Sequence, residues 1–558
     1  MPYFGLKGGW LTFWVTVACA TDMTLFGYDQ GVFGGVIVTE DFLKTMNIVG
    51  NDSMQGTVTA LYDVGCFFGA IGAFIIGDWL GRKKTVLLGT TIMRQDRPCI
   101  CAARSLTDEC SIGALLQITG YGIPQMIVGR IVAGIGNGIN TSTAPPWQGE
   151  TSKASWRGKL IVIEMILNIA GFSLSTWVTY GFSFIAGPVS WRVPLALQFI
   201  FIAILFATVP WLPESPRWLI SKGRIEEGEQ ILADIEGTDI YDPFIITQSK
   251  EIQYAARYEK ENAVRIRDLL RGKKGKTGDT HTLRRLILGM GTQAMQQLSG
   301  INVTSYYLPT VLIQSVGFTN SMARLLAACN SVSYLLFSLI GIPNVERWGR
   351  RKMMMYAAAG QCACYLFITV LIRYNELPGY AHSTEVAKAS VAFFFLYYVF
   401  FGIGWQGVPW LYPAEINSLS MRTKGTALGT ATNWAFNYMV VQITPIGIKT
   451  LQWKFYVIWT IFNGAFVPIV YFFYPETADR SLEDLDRYFR EEGKLFVFRD
   501  KDAVSSKRPQ RYIDHEQGEI RRHSSVSPAQ MNDAAVKYRA GQLEKAGDAN
   551  DHDYREEV

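Results

Sequence analysis

The fold is constrained above all by twelve apolar stretches, each bounded by charged or turn-forming residues. About 20 consecutive apolar residues cross the hydrocarbon core of a bilayer as a helix, because lipid offers backbone groups no hydrogen-bond partner outside the helix. The stretches therefore predict twelve membrane-spanning helices, in agreement with a composition of 49% hydrophobic and 18% charged residues. We number them spans 1 to 12, at residues 11–37, 56–77, 85–119 (interrupted), 122–144, 160–182, 193–212, 286–313, 322–343, 354–373, 388–412, 425–447 and 453–474.

Polar segments divide the spans into two sets of six. The segment between spans 6 and 7 is rich in Asp, Glu, Lys and Arg, so it is not expected to lie in lipid. The end of the chain has many charges and few aromatic residues, which is typical of disorder. The sequence thus predicts an all-α polytopic membrane protein. Its predicted parts are an N-terminal six-helix bundle at 1–212, a partly helical cytoplasmic linker at 213–285, a C-terminal six-helix bundle at 286–474 and a largely disordered cytoplasmic tail at 475–558.

Lys and Arg are concentrated in the connections that follow even-numbered spans, such as GRKK at 81–84 and ERWGRRK at 346–352. Positively charged loops tend to stay in the cytoplasm, so these connections and both termini are predicted to be cytoplasmic. A glycosylation sequon at Asn51 falls on the predicted outer side. These features predict a multi-pass membrane protein, which we expect in the plasma membrane once the family resemblance given below is taken into account.

The third span is interrupted by RQDRPCICAARSLTDECS at 94–111. Deleting these residues joins two apolar pieces into one helix of ordinary length. We hypothesise an in-frame insertion, such as an unspliced intron, and a genuine extra loop is the alternative. A charged segment in the middle of a span would impair folding, because the bilayer core does not solvate it.

Short polar motifs recur in both halves at a nearly constant offset. GDWLGRKK after span 2 and VERWGRRK after span 8 place Asp78 and Glu346 268 positions apart. Glu150 and Glu415 each precede an arginine by seven positions and are 265 positions apart. Basic loops are common, but a shared offset indicates an internal duplication, as in secondary transporters. The repeated residues predict ion pairs of a cytoplasmic gate, formed by Asp78, Arg82, Glu150, Arg157, Glu214, Glu346, Arg350, Glu415, Arg422 and Glu476.

Further motifs lie between span 1 and the tail. They are LFGYDQG, VGRIVAGIGNG, NTSTAPPWQGE, PESPRWLI, QQLSGIN, VPWLYPAEI and YPETADRSLEDLD. With these motifs the chain resembles the sugar porters of the major facilitator superfamily, most closely the fungal sugar and polyol proton symporters. The resemblance implies two pseudo-symmetric six-helix bundles, a transporter rather than an enzyme, and no cofactor.

Asp29, in LFGYDQG, is a carboxylic acid inside an apolar span. A charge at the bilayer centre is disfavoured by about 3 kcal/mol on insertion scales, so it marks a transport pathway or a partner. Arg130 in span 4 is the predicted partner, because an isolated buried Arg is also costly. If Arg130 moves between states, Asp29 can take up and release a proton, and the resemblance also implies proton coupling here. A helix end in water and a structural ion pair are the alternatives, and Asp22 is a weaker candidate.

Neutral side-chain amides are concentrated in the C-terminal half. Gln293, Gln296 and Gln297 share one face of span 7 through their i, i+3 and i+4 spacing. A sugar offers hydroxyls to amides and a C–H face to an aromatic ring, so these residues predict a sugar site. Amides that only join helices are the alternative. The other predicted members are Asn302, Asn330, Asn433, Asn437, Gln406 and Trp410.

The resemblance implies sugar contacts for six of these residues, namely Gln296, Gln297, Asn302, Asn330, Trp410 and Asn433. Span 5 departs from the family pattern, because Met165 stands where a sugar-binding Gln is usual and Glu164 lies beside it. Hexoses, pentoses, disaccharides and polyols are therefore all candidate substrates. The sequence predicts proton-coupled uptake of a neutral sugar or polyol, and an uncoupled uniporter and a transporter-like nutrient sensor are the alternatives.

The sequence contains no motif typical of a nucleotide-binding, metal-binding or nucleic-acid-binding protein. RGKKGKTGDT at 271–280 misses the first glycine of a phosphate-binding loop, because that position is Leu270. The histidines form no cluster in the sequence, and the cysteines have no metal-binding spacing. We expect no ATP, metal or nucleic-acid site. The expected partners are a small sugar or polyol, the proton and membrane lipid, and a monomer is expected to be functional.

Overall fold

A computed structural model of the protein describes residues 5–92, 112–153, 157–262, 281–375, 382–418, 421–480, 482–491, 494–512 and 514. Within these residues the regular structure consists of α-helices with short 3-10 and π segments and contains no β-strand. The predicted all-α class is confirmed. The hypothetical insertion at 94–111 and the tail beyond residue 514 lie outside the described residues.

The N-terminal half has helices at all six predicted spans. Span 2 begins where the side chain of Asn51 accepts a hydrogen bond from the backbone N–H of Met54 at 3.1 Å, which satisfies a free donor of the first turn. A short helix at Glu40–Thr45 follows span 1. The spans are Gly9–Val36 (1), Asp52–Leu80 (2), Arg82–Ile92 with Ile112–Ile118 (3), Ile123–Glu150 (4), Arg157–Phe182 (5), and Val189–Ala196 with Gln198–Thr208 and Val209–Trp211 (6).

The C-terminal half also has six spans, and two of them are broken. Span 7 breaks at Gly300, whose φ of +89° favours glycine; a Cβ there would lie 2.5 Å from the Tyr365 hydroxyl. Span 10 contains a π-helical stretch, a form often found at functional sites. The spans are Thr282–Leu298 with Ile301–Ser305 and Leu308–Gln314 (7), Asn320–Trp348 (8), Arg350–Asn375 (9), Ser383–Phe400 with Phe401–Trp405 and Val408–Ile416 (10), Arg422–Leu451 (11), and Trp453–Phe473 (12).

Seven helical segments of the described chain are long and apolar enough to cross a membrane. They correspond to spans 2, 5, 6, 8, 9, 10 and 12. Spans 1, 4, 7 and 11 fall outside this group, and span 3 is interrupted outside the described residues.

The two halves have matching internal packing. Span 1 packs on span 5 and span 2 on span 4, and in the second half span 7 packs on span 11 and span 8 on span 10. Spans 2 and 4 approach backbone to backbone, since a Cβ on Gly134 would lie 2.2 Å from the carbonyl oxygen of Tyr62. The halves meet where span 2 packs on span 11 and span 5 on span 8. This arrangement relates the halves by a pseudo-two-fold axis.

The segment between the halves contains the helices Pro216–Ser221, Ile225–Glu236 and Pro243–Asn262. The helices Leu482–Glu491 and Lys501–Val504 follow span 12. We call the end of the bundle that bears the segment between spans 6 and 7 the linker end, and the opposite end the far end. At the linker end Lys153 is 3.4 Å from Glu236, which joins the loop after span 4 to a linker helix.

Candidate functional site

A buried chain of side-chain amides lies in the C-terminal half. Asn433 of span 11 donates hydrogen bonds to Gln293 Oε1 at 2.6 Å and Gln296 Oε1 at 2.9 Å. Its own Oδ1 accepts from Gln297 Nε2 at 3.0 Å. The three glutamines thus share one face of span 7, as the spacing predicted, and that face turns to span 11.

Backbone carbonyls of span 10 hold one end of this chain. Gln293 Nε2 donates to the carbonyl of Pro409 at 2.8 Å, and Gln296 Nε2 donates to the carbonyl of Trp405 at 2.8 Å. Trp405 closes the π-helical stretch, and its indole N–H donates to the carbonyl of Met354 at 3.1 Å. Because a carbonyl oxygen only accepts, these contacts fix which end of each glutamine amide is the oxygen.

The other end of the chain crosses into the N-terminal half. Asn302, just after the break in span 7, donates to Gln297 Oε1 and, at 2.6 Å, to Asn437 Oδ1. Asn437 of span 11 donates in turn to Asp63 Oδ1 of span 2 at 3.2 Å. We call Gln293, Gln296, Gln297, Asn302, Asn433 and Asn437 the amide chain. Sequence reasoning missed Asp63, although its place inside an apolar span is the signal that singled out Asp29.

The three other predicted pocket residues differ in how they relate to the amide chain. Gln406 accepts a hydrogen bond from Tyr334, and its backbone carbonyl accepts from Gln296 at 3.3 Å. Trp410 is partly buried against a cluster that contains Phe26 and Trp434. Asn330 is set apart, since its Nδ2 reaches the carbonyl of Phe394 at 3.5 Å and its buried Oδ1 has no partner among the described residues.

Asp29 and Arg130 are both buried, at 4% and 1% exposure. Arg130 donates to the carbonyl of Thr59 at 3.0 Å, and its guanidinium carbon lies 4.0 Å and 4.5 Å from the ring centres of Phe33 and Tyr62. Arg130 acts electrostatically on Asp29, but no ion pair within 4.0 Å joins the two among the described contacts. Asp29 Oδ2 is buried without a hydrogen-bond partner in the described part of the chain. The predicted partners are neighbours that do not touch.

Two further acids are buried in the N-terminal half. Asp22 accepts a hydrogen bond from Asn140 at 2.8 Å. Glu164 has no exposed surface, and neither carboxylate oxygen has a hydrogen-bond partner among the described residues. With Asp29 and Asp63, the described spans of this half therefore hold four buried acids at membrane depth.

The linker end carries an ion-pair cluster in the N-terminal half. Arg82 Nε donates to Glu150 Oε2 at 3.2 Å, and Glu150 also accepts from the hydroxyl of Ser215 at 2.5 Å. Glu214 Oε1 accepts from the backbone N–H of Arg82 at 2.8 Å. Asp78 lies apart and pairs with the linker residue Lys222 at 3.5 Å. This first ion-pair cluster ties the loop after span 2 to the ends of spans 4 and 6.

The C-terminal half repeats this geometry. Arg350 Nε donates to Glu415 Oε2 at 3.2 Å, and Thr477 donates to the same oxygen at 2.6 Å. Glu476 Oε1 accepts from the backbone N–H of Arg350 at 2.8 Å. Unlike Asp78, Glu346 joins this second ion-pair cluster through Arg350 at 2.6 Å. Partial burial opposes ionisation of Glu346, but the hydrogen bond and charge of Arg350 keep its pKa below the ordinary value.

Two predicted gate arginines begin the spans that follow these clusters. Arg157 is the first residue of span 5 and Arg422 the first residue of span 11. The side chain of Arg157 lies outside the described residues. Both positions are at the linker end, as the repeat predicted.

Contacts at the far end join the two halves directly. Lys449 of span 11 pairs with Asp52 of span 2. Arg324 of span 8 donates to the hydroxyl of Thr39, after span 1, at 3.1 Å. Gln442 donates to the hydroxyl of Thr57 at 3.1 Å. The ion-pair clusters of the linker end, by contrast, each stay within one half.

The sequence model of the family described as "Sugar (and other) transporter" matches residues 14–489. The chain belongs to this family. It is therefore a multi-pass membrane transporter and not an enzyme, and the expected sugar-porter family is confirmed.

Three curated relatives of this sugar transporter family member come from fungi. The MFS-type transporter oryC of Aspergillus oryzae is 58% identical, over 94% of each chain. The sugar transporter STL1 of Saccharomyces cerevisiae is 32% identical over 87% of this chain and 83% of the relative. The high glucose sensor RGT2 of the same yeast is 30% identical over 87% of this chain and 61% of its own.

Among solved structures, the proton:xylose symporter XylE bound to 6-bromo-6-deoxy-D-glucose has the same fold. The TM-score is 0.70 at 23% identity, and the match covers 86% of this chain and 99% of XylE. The predicted twelve-helix architecture in two pseudo-symmetric bundles is confirmed by this similarity.

Proposed function

We propose that this protein takes up a neutral sugar or polyol together with a proton across the plasma membrane, by alternating access. The observation that carries the proposal is the amide chain, a run of six neutral donors and acceptors buried between spans 7 and 11. Relatives named as sugar transporters and the fold shared with a proton:xylose symporter support the same reading.

The chemistry of the amide chain suits hydroxyl groups. Its members now satisfy one another, so a ligand that enters must replace those bonds. A sugar hydroxyl both donates and accepts, and it can replace an amide–amide bond without leaving either partner unpaired. A charged group would lack a counter-charge among these amides. Trp410 is proposed to cover the C–H face of a ring, and Gln406 and Asn330 are proposed as further contacts.

Asp29 is the proposed proton carrier. A buried carboxylate without a hydrogen-bond donor is costly, and either a proton or a closer approach of Arg130 relieves that cost. Arg130 is held by the Thr59 carbonyl and two rings, so its movement between states would change the charge next to Asp29. A proton moving down ~100 mV yields about 2.3 kcal/mol, enough for a roughly fifty-fold accumulation of substrate.

Alternating access would exchange the closed ends of the bundle. The distribution of Lys and Arg supports a cytoplasmic position for the linker end. The bonds between the halves at the far end would then close the outer side, as with Lys449 and Asp52. In the outward-facing state these bonds would break and the halves would meet at the cytoplasmic end, near the two ion-pair clusters.

Expression in a yeast strain without sugar transporters tests the proposal. A panel of labelled hexoses, pentoses and polyols is offered while the pH of the medium is recorded. We expect one class of labelled compound to accumulate above its outside concentration, with alkalinisation of the medium on its addition. Equilibration without alkalinisation would instead mean a uniporter. Binding without uptake would instead mean a sensor.

A further inference from the structure

The contact between Asp63 and the amide chain has no role in the function proposed above. Asp63 lies in the middle of span 2 and is 1% exposed. Its Oδ1 accepts from Asn437, and its Oδ2 is buried without a hydrogen-bond partner among the described residues. The chain of proposed sugar-binding amides therefore ends at Asp63, a carboxylic acid with one oxygen that accepts no hydrogen bond from the described residues.

The hydrogen bonds of the amide chain point away from Asn302. Towards span 10, Gln297 donates to Asn433, which donates to the two other glutamines, and these donate to backbone carbonyls. Towards span 2, Asn437 donates to Asp63. Asn302 therefore donates both of its Nδ2 hydrogen bonds to other members of the chain, one to Gln297 and one to Asn437. An ionised Asp63 fixes this pattern, since a carboxylate only accepts.

We propose that Asp63 is a second proton-binding site, whose protonation frees Asn437 and Asn302 to bind the substrate. The inference rests on the proposed symport function. A hydrogen bond to a carboxylate is roughly twice as strong as one between neutral groups, so protonation weakens the hold of Asp63 on Asn437. Asn437 can then turn to a sugar hydroxyl, and an N–H of Asn302 becomes available. Proton binding at Asp63 thereby raises the affinity for the sugar, while the net transfer of a proton across the membrane still depends on Asp29.

The groups around Asp63 link it to Asp29. Arg130 acts electrostatically on both acids. When one acid is protonated and neutral, Arg130 interacts electrostatically mainly with the other, ionised acid. The protonation of the two sites is therefore coupled through one cation. The further titratable groups facing this region are Tyr62 and Cys66 on span 2, Tyr306 and Tyr307 on span 7, and Tyr438 on span 11.

The test is the pH dependence of KM for Asp63→Asn in the full-length protein, measured with the labelled hexose, pentose or polyol that accumulates in the yeast assay. The wild type is expected to show a KM about tenfold higher in neutral than in acidic medium, which corresponds to about 1.4 kcal/mol. Asp63→Asn removes the charge and should hold KM near the acidic wild-type value at both pH values. Asp41→Asn is the matched control, because Asp41 also accepts from a neutral donor, Trp191 at 2.9 Å, but lies outside the spans. It should retain the wild-type pH slope.

Asn437→Thr provides a second variant, which breaks the link between Asp63 and Asn302 and should also flatten the pH profile of KM. A purely structural role of Asp63 would lower the maximal rate or the amount of protein and leave the slope of KM against pH intact. A wild type without proton-coupled uptake would overturn the proposed function itself. A coupled wild type together with Asp63→Asn and Asn437→Thr variants of normal pH slope would overturn this inference alone.

Discussion

The two halves of the protein carry the same ion-pair geometry at the linker end and opposite chemistry inside. Arg82–Glu150 and Arg350–Glu415 share a 3.2 Å Nε–Oε2 contact, and Glu214 and Glu476 each bind the backbone N–H of the respective arginine at 2.8 Å. At membrane depth, however, the first half buries the acids Asp22, Asp29, Asp63 and Glu164 with Arg130, while the second presents the amide chain. A duplicated scaffold thus retained its ends and diverged in its interior.

This contrast suggests a division of labour, in which the N-terminal half carries the proton and the C-terminal half the substrate. Neutral amides match hydroxyls at little electrostatic cost. Buried acids titrate and respond to one moving cation. The bond from Asn437 to Asp63 is where the two chemistries meet.

The largest effect is expected from removal of the N-terminal charge by Asp29→Asn. Because the amide cannot carry a proton, accumulation should fall from roughly fifty-fold to equilibrium, while exchange of labelled for unlabelled substrate continues. Uptake and pH traces in yeast measure both properties. Asp41→Asn is the control, and pH-driven accumulation that persists in Asp29→Asn would remove Asp29 from the mechanism.

The next effect is expected from the C-terminal half. Asn433→Ala deletes three hydrogen bonds at the centre of the amide chain and leaves Gln293, Gln296 and Gln297 without that partner. A loss of about 2 kcal/mol of substrate binding would raise KM roughly thirty-fold. Competition assays with labelled substrate measure it. Asn344→Ala, which removes a partly exposed amide on span 8 that bonds, among the described residues, only to the Ile340 carbonyl, should leave KM within about twofold of wild type. Wild-type affinity in Asn433→Ala would argue that these amides only join helices.

Features that depend on residues close in the sequence could be predicted, whereas contacts between residues far apart in the sequence could not. The spans, the repeated motifs and the shared face of Gln293, Gln296 and Gln297 depend on local periodicity or on a fixed offset, and they were predictable. Asp63 and Asn437 are 374 positions apart, and only the packing of span 2 on span 11 brings them together. Arg130 was predicted next to Asp29, but its contacts with Thr59, Phe33 and Tyr62 depend on the approach of span 4, which no motif specifies.

A third, smaller effect compares the two ion-pair clusters. Arg350 serves the two carboxylates Glu346 and Glu415, whereas Arg82 forms its close ion pair with Glu150. We therefore expect Arg350→Gln to lower the maximal transport rate by roughly tenfold and Arg82→Gln by less. Initial-rate uptake, normalised to the amount of protein at the surface, measures both. Arg224→Gln in the exposed linker pair is the control. Equal losses in the two variants would mean that the second carboxylate contributes nothing.

The smallest effect is expected from Glu346→Gln. Glu346 has a pKa below its ordinary value, so it stabilises the fold at neutral pH, and this contribution is lost as the pH falls through the folded-state pKa. Because its side chain is 61% exposed, solvent screening should limit the effect to well under 1 kcal/mol. Thermal unfolding of purified protein should show a slightly lower melting temperature for the variant at neutral pH and no difference in acid. A difference that grows on acidification would reverse the assigned sign.

The division between the halves is tested most directly by measuring proton and substrate flux together in proteoliposomes. The account predicts that Asp29→Asn carries labelled substrate in exchange without proton movement. It also predicts that Asn433→Ala, at substrate concentrations high enough to offset its weaker binding, keeps the wild-type ratio of protons to substrate. A loss of proton coupling in Asn433→Ala, together with wild-type coupling in Asp29→Asn, would contradict it.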